Sequence, residues 1–220
     1  HLQEYRNRDD RRAAAPSPSQ LKRWAEKEAA FAKFIDATEG SVLEIGCGPA
    51  SIRTHLADGV TYFGLDPLPS RDQPDFPFLI GVAEYLPFRD DSFDFLIVRS
   101  ALDHFCYLDQ FFAQATRIMR PGGRLFIEQV IHEVRGPVSA AKVLAHNVKD
   151  WLDDRVDKPD PEAPKHISEF SRSKLMSECG QTFEVTRSHE YNRNWYTPTQ
   201  IFLCLEPKVE VTHSVGAGDT

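Results

Sequence analysis

The chain has 220 residues, of which 41% are hydrophobic and 27% charged, with a formal net charge of -7. That length suits one domain with a substantial core, and the acidic balance argues against sequence-independent binding of nucleic acid, which needs clustered cations against phosphates. No apolar run approaches the ~18 residues that span a bilayer, and Cys47, Cys106, Cys179 and Cys204 are scattered without a Cys-x-x-Cys pair, so a disulfide framework and a zinc site give way to reduced thiols in a cytoplasmic protein.

Residues 1–20 combine arginines and aspartates with an Ala-Ala-Ala-Pro-Ser-Pro-Ser run and read as a flexible leader. From Leu21 to Ile35 apolar residues recur at helical spacing, which predicts an amphipathic helix. Ser41–Ile45 is a short apolar strand running into Gly46-Cys47-Gly48, followed by a helix over Ala50–Ala57 and a second strand, Val60–Leu65, ending at Asp66-Pro67. Further strands are expected over Phe76–Gly81 and Phe93–Val98. A helix over Leu108–Met119 is punctuated by Pro121-Gly122-Gly123, and Arg124–Val130 forms strand five. Strands alternating with helices imply a parallel sheet that binds ligands beyond its carboxyl ends.

After strand five the pattern changes. Val138–Leu152 predicts a helix, and the charged segment Asp153–Lys165, with its three prolines, predicts a loop or lid within an acceptor region of about residues 132–170. A helix over Ser171–Cys179 closed by Gly180 comes next. Two strands, Thr182–His189 and Trp195–Leu205, then form a hairpin edge around the turn Glu190–Asn194. The domain thus covers residues 21–206, with a frayed polar tail over 207–220.

The strongest motif is Val42-Leu43-Glu44-Ile45-Gly46-Cys47-Gly48-Pro49-Ala50, where glycines after a buried strand let backbone turn sharply and approach a ligand. A dinucleotide fingerprint asks for a third glycine where Ser51 stands. Asp66 ends strand two, where a carboxylate accepts from both hydroxyls of a ribose; capping the turn before Pro67 is the alternative. Gly81-Val82-Ala83-Glu84, then Asp91-Ser92-Phe93-Asp94, then Pro121-Gly122-Gly123 follow in order.

The order of these segments over Ser41–Val130 resembles the class I S-adenosylmethionine-dependent methyltransferases, in particular the small-molecule branch with the ubiquinone and menaquinone enzymes. The resemblance implies a Rossmann-like α/β fold: a seven-stranded, mostly parallel sheet, helices on both faces and a C-terminal antiparallel hairpin at one edge. It also implies S-adenosylmethionine as cofactor. Glu44 would then hold the cofactor's amino group, and Gly46, Cys47 and Gly48 would offer backbone to the methionine portion. Asp66 would take the ribose hydroxyls, with Pro67 beside the adenine and Ala83 and Glu84 at its edge, while Arg99 would contribute backbone near the methionine amino group. The family commonly places Asp where this chain has Val82, which leaves adenine recognition to backbone and Glu84.

Methyl transfer is an in-line displacement at a sulfonium methyl, and an oxygen nucleophile additionally needs its proton removed. Leu102-Asp103-His104-Phe105 follows strand four, so His104, with Asp103 beside it, is the candidate base; a helix-start Asp103 with a packed His104 is the bland alternative. His166 resembles a residue bordering the acceptor pocket. The expected activity is methylation of a small molecule, at oxygen first, with nitrogen or carbon open. A nicotinamide-dependent oxidoreductase and a non-catalytic cofactor-binding protein of the same fold remain as alternatives.

Overall fold

The computed structural model describes residues 18–69, 74–131, 169–191 and 199–208. Helix α1 (Pro18–Ile35) precedes β1 (Glu39–Ile45), a single 3₁₀ turn (Ser51–His55), β2 (Gly59–Asp66), β3 (Phe78–Ile80) and β4 (Phe93–Arg99). A second 3₁₀ turn (Leu102–His104), α2 (Leu108–Ile118), β5 (Met119–Ile131), α3 (Arg172–Thr182), β6 (Phe183–Tyr191) and β7 (Thr199–Pro207) complete the order. The seven strands form one mixed sheet in the order β3-β2-β1-β4-β5-β7-β6. Pairings from β3 through β5 are parallel, whereas β7 runs antiparallel to both β5 and β6.

Alternation within each strand divides the apolar residues between two cores. Leu43, Leu96, Val98, Leu125, Ile127, Leu203 and Leu205 enter one, together with Phe111 and Phe112 of α2 and Leu175 of α3. Val42, Ile97, Phe126, Phe202 and Cys204 enter the other, together with Phe31 and Ile35 of α1. The α1 stripe therefore covers β1, β4, β5 and β7, and its ring packing is close: Phe31 and Phe202 have centroids 4.9 Å apart.

Four expectations need correction. No α-helix forms over Ala50–Ala57, only the 3₁₀ turn Ser51–His55. Ala50 adopts a left-handed conformation (φ 52°) and offers no side-chain cap, and β2 begins at Gly59, so the segment is too short to nucleate an α-helix. Gly180 does not close α3, which continues to Thr182. Its last carbonyls are satisfied from Lys208, whose Nζ donates to Gly180 O and whose N–H donates to Thr182 O, so a left-handed glycine cap is not required. Pro121-Gly122-Gly123 lies inside the bounds of β5, as an irregularity between the Phe93↔Met119 and Phe95↔Arg124 pairs, with Gly122 at φ 80°. Finally, α1 begins at Pro18, within the expected leader. The helix over Val138–Leu152, the lid segment Asp153–Lys165, His166 and the turn at Asn194 lie outside the described residues.

Phe202, fully buried on β7 against Phe31 and Phe34 of α1, fastens the helix to the antiparallel half of the sheet. Phe202→Ala is expected to destabilise the domain by about 3–5 kcal/mol, read as a shift of the urea midpoint at unchanged slope.

Candidate functional site at the strand ends

The carboxyl ends of β1, β2 and β4 converge because the loop after β1 is tied to its neighbours by backbone. The Gly46 and Cys47 N–H groups both donate to Leu65 O, at 2.8 and 3.1 Å. Gly46 sits at φ 73°, and a Cβ there would lie 2.7 Å from the Cβ of Ala101, so glycine is needed twice over: for its conformation and for the close approach of the loop after β4. Gly48 is also left-handed (φ 48°), but a Cβ there would meet nothing within 4 Å. Its surroundings are open, as a ligand cradle requires. Ser100, directly after β4, is a non-glycine at φ 45°, held by its N–H to Glu128 O at 2.7 Å.

Asp66 secures the same loop. Its Oδ2 accepts from Gly48 N–H at 2.9 Å and its Oδ1 from Leu68 N–H at 2.9 Å. A carboxylate has about four acceptor positions, so two remain for a ligand. Gly81 N–H donates to Asp66 O at 3.0 Å, which brings the segment after β3 alongside, with Ala83 buried and Val82 exposed. Glu84 is buried, and its Oε1 accepts from the Cys106 and Tyr107 N–H groups at 2.7 and 3.3 Å, so this carboxylate fastens the loop before α2. Cys47 is buried, and burial pushes its thiol well above the ordinary range, which keeps it neutral.

Glu44, on the other face of β1, is 1% exposed. One oxygen accepts from the Tyr62 hydroxyl, and the other stands 3.5 Å from Arg99 Nη1. Arg99 also reaches Glu28 of α1 at 2.9 Å through Nη2 and Glu128 of β5 at 3.2 Å through Nε. Lys27 Nζ lies 2.7 Å from Glu128, and the Ser51 hydroxyl donates to Glu28. Burial pushes the Glu44 carboxyl up to about 7, against the opposing pull of the Arg99 guanidinium and the Tyr62 hydroxyl. Sequence reasoning named Glu44 and Arg99 but missed Glu28, Tyr62 and Glu128. The available signal was Glu128 itself, a charge between the apolar residues Leu125–Ile127 and Val130–Ile131, which must be paired when buried.

After β4, Asp103 is buried and His104 half-buried in the 3₁₀ turn, with His104 Nε2 4.0 Å from Asp103 Oδ1. The His104 N–H donates to Ala101 O, which sets the turn directly beyond the Gly46 contact.

The Gly46–Ala101 approach is directly testable. Gly46→Ala is expected to destabilise the domain by about 2–4 kcal/mol, from left-handed strain plus the clash. Adding Ala101→Gly should recover roughly half, because it removes the clash and leaves the strain. Thermal or urea unfolding of the two variants measures this; no recovery in the pair would put the cost elsewhere.

Residues 43–127 match the Methyltransferase domain family. The phthiotriol/phenolphthiotriol dimycocerosates methyltransferase 1 of Mycobacterium ulcerans is 34% identical over 43% of this chain and 39% of its own length. The demethylmenaquinone methyltransferase of Renibacterium salmoninarum is 29% identical over 55% of this chain and 53% of its own length. The chain thus spans about half or less of these relatives. Among solved structures, the 1,6-didemethyltoxoflavin-N1-methyltransferase of Burkholderia thailandensis, bound to 1,6-didemethyltoxoflavin and S-adenosylhomocysteine, aligns with a TM-score of 0.60 at 14% identity. That alignment covers 82% of this chain and 76% of the other. A Pyrococcus horikoshii protein aligns at 0.60 and 16% identity over 87% and 92% of the two chains. Over residues 43–127 this chain is thus similar to the Methyltransferase domain family, and its seven-stranded sheet shares the fold of the methyltransferase structure that aligns with it.

Proposed function

We propose that the protein transfers a methyl group from S-adenosylmethionine to a small-molecule acceptor, at oxygen in the first reading. The observation that carries the cofactor assignment is the convergence of Glu44, Gly48 and Asp66 at the carboxyl ends of β1 and β2. The residues fit the group. The space beyond Gly48 is open, Asp66 retains acceptor positions for ribose hydroxyls, and the charge cluster around Glu44 holds three carboxylates against two cations, which suits an ammonium. Pro67, Ala83 and Val82 stand next to Asp66 along the chain or through the Gly81 link and supply the apolar side of an adenine site. The Glu84 carboxylate, engaged with the loop before α2, contributes to that site as its support. When bound, the cofactor supplies an electrophilic methyl whose leaving group departs neutral, so the protein's part is to align the acceptor and keep water out.

The layered architecture assumed here has helices on both faces of the sheet, and the two separate cores, one with α1 and one with α2 and α3, support it. Two relatives carry names of methyltransferases acting on small molecules, which supports an acceptor of that class for this chain. No described helix is long and apolar enough to cross a membrane. The cytoplasmic setting rests on the scattered spacing of Cys47, Cys106, Cys179 and Cys204 alone.

Asp66→Ala should weaken S-adenosylhomocysteine binding at least tenfold, since hydrogen bonds to a charged acceptor contribute about 1.5–3 kcal/mol each. Calorimetry on the folded variant measures it, and unchanged affinity would remove the ribose assignment. Oxygen as the acceptor atom rests on His104, which stands beyond β4 with Asp103 beside it. His104→Gln is expected to keep cofactor affinity within a few-fold and to lower turnover by about 10²–10⁴. A methyl-donor consumption assay across a metabolite library finds the acceptor; full turnover in His104→Gln with that acceptor would make the residue structural and favour nitrogen or carbon.

A further inference from the structure

The cluster at the tops of β1, β4 and β5 has a defined charge count. Glu28, Glu44 and Glu128 supply three negative charges when ionised, and Lys27 and Arg99 supply two positive ones. One negative charge is in excess, and the side chains involved are at most 17% exposed. A buried excess charge is costly unless something neutralises it. Two neutralising species are available at this end of the sheet: a proton, or a cation arriving with a ligand.

The position of the excess follows from the geometry. Glu128 is bracketed by Lys27 at 2.7 Å and Arg99 at 3.2 Å, and Glu28 lies 2.9 Å from Arg99 and accepts from Ser51. Glu44 has the weakest cationic partner, Arg99 at 3.5 Å, and its other oxygen faces only the neutral Tyr62 hydroxyl. The remaining titratable neighbours do not compensate it. His55 faces Glu28, with Nε2 3.8 Å from its carboxylate, while Cys47 stays neutral and Asp66 is another carboxyl group, engaged with Gly48 N–H.

We propose that Arg99 is a positioning residue for the cofactor's amino-acid end: by charge balance within this cluster it keeps the Glu44 carboxylate available to an entering ammonium, which takes the place of a proton. This rests on the cofactor reading above and adds a linkage to it. The Glu44 carboxyl, pushed up to about 7 by burial, carries a proton in much of the free protein at neutral pH; its proton leaves as the ammonium enters. The group's pKa falls on binding, so affinity rises with pH below and through about 7 and levels off above it. Arg99 lowers that midpoint and Glu128 raises it, so removing either charge moves it in opposite directions.

The test is calorimetry of the intact chain from about pH 5.5 to 7.5. Two probes are used: S-adenosylhomocysteine, which carries the ammonium, and 5′-methylthioadenosine, which lacks the amino-acid portion. In the wild type, S-adenosylhomocysteine should gain up to about tenfold in affinity per pH unit below the midpoint and release roughly half a proton per ligand at pH 7, read in buffers of different ionisation enthalpy. The affinity of 5′-methylthioadenosine should stay flat. Arg99→Gln should move the midpoint up by about one unit or more, Arg99→Lys should restore most of it, and Glu128→Gln should move it down. His55→Gln should leave it in place. Equal pH dependence for both probes, no proton release, or shifts of the same sign in Arg99→Gln and Glu128→Gln would overturn the proposal while leaving the cofactor reading intact. Should Arg99→Gln not fold, the wild-type proton count decides. Absence of binding by either compound at every pH removes the cofactor reading and the proposal together.

Discussion

A guanidinium carried to the top of a buried strand must be surrounded by carboxylates, and much of this molecule is arranged around that requirement at Arg99. Its side chain is 11% exposed and spans three elements, meeting Glu28 of α1, Glu44 of β1 and Glu128 of β5. An unpaired charge at that depth would cost several kcal/mol, so α1 cannot lift from the sheet without exposing both ends of the network. The apolar stripe through Phe31 and Ile35 holds the lower half of the helix, and Lys27 and Glu28 hold its middle. Beyond them the first turns of α1 run on with Leu21 and Trp24 half exposed. The cluster therefore sets the height at which the helix leaves the body of the domain, directly over the carboxyl ends of the strands.

At the opposite edge of the same crevice the constraint is steric. Gly46 and Ala101 allow the loops after β1 and β4 to touch, and the left-handed Ser100, pinned by Glu128, aims Ala101 at that contact. Glu128 thus joins the two halves of the site: its side chain serves the charge network and its carbonyl serves the loop that carries Asp103 and His104. Strain of this kind is tolerated where surrounding structure overdetermines the backbone, and here three strands do so.

Much of this was legible in the residues because the informative signals are local. The apolar run Val42–Ile45 ending in Gly46, and the strand ending in Asp66, specify strand, turn and acceptor within a few positions. Local signals also misled. Ala50–Ala57 has helix-forming residues, yet the left-handed Ala50 and the early start of β2 leave room for one 3₁₀ turn. Gly180 resembles a helix stop, but Lys208, 28 residues on, satisfies the carbonyls that a stop would leave open. What could not be read was partnership at long range. Arg99 and Glu28 are 71 positions apart, and their meeting depends on the register of β1, β4 and β5 and on the rotation of α1 about its axis. The engagement of Glu84 with Cys106 and Tyr107 is of the same kind.

The order of strands carries a consequence for association with other chains. β7 lies between β5 and β6, so the last of the described strands in chain order is an interior one. Without it, the outer edge of β5 from Leu125 to Ile131, almost wholly buried in the finished sheet, lacks its β7 partner, and Phe31 of α1 lacks the Phe202 ring it packs against. An unpaired apolar strand edge is a template for association with other chains. That edge is covered only when Thr199–Pro207 pairs with β5 and β6. A chain that lacks Thr199–Pro207 is expected to associate with other chains through the exposed edge of β5.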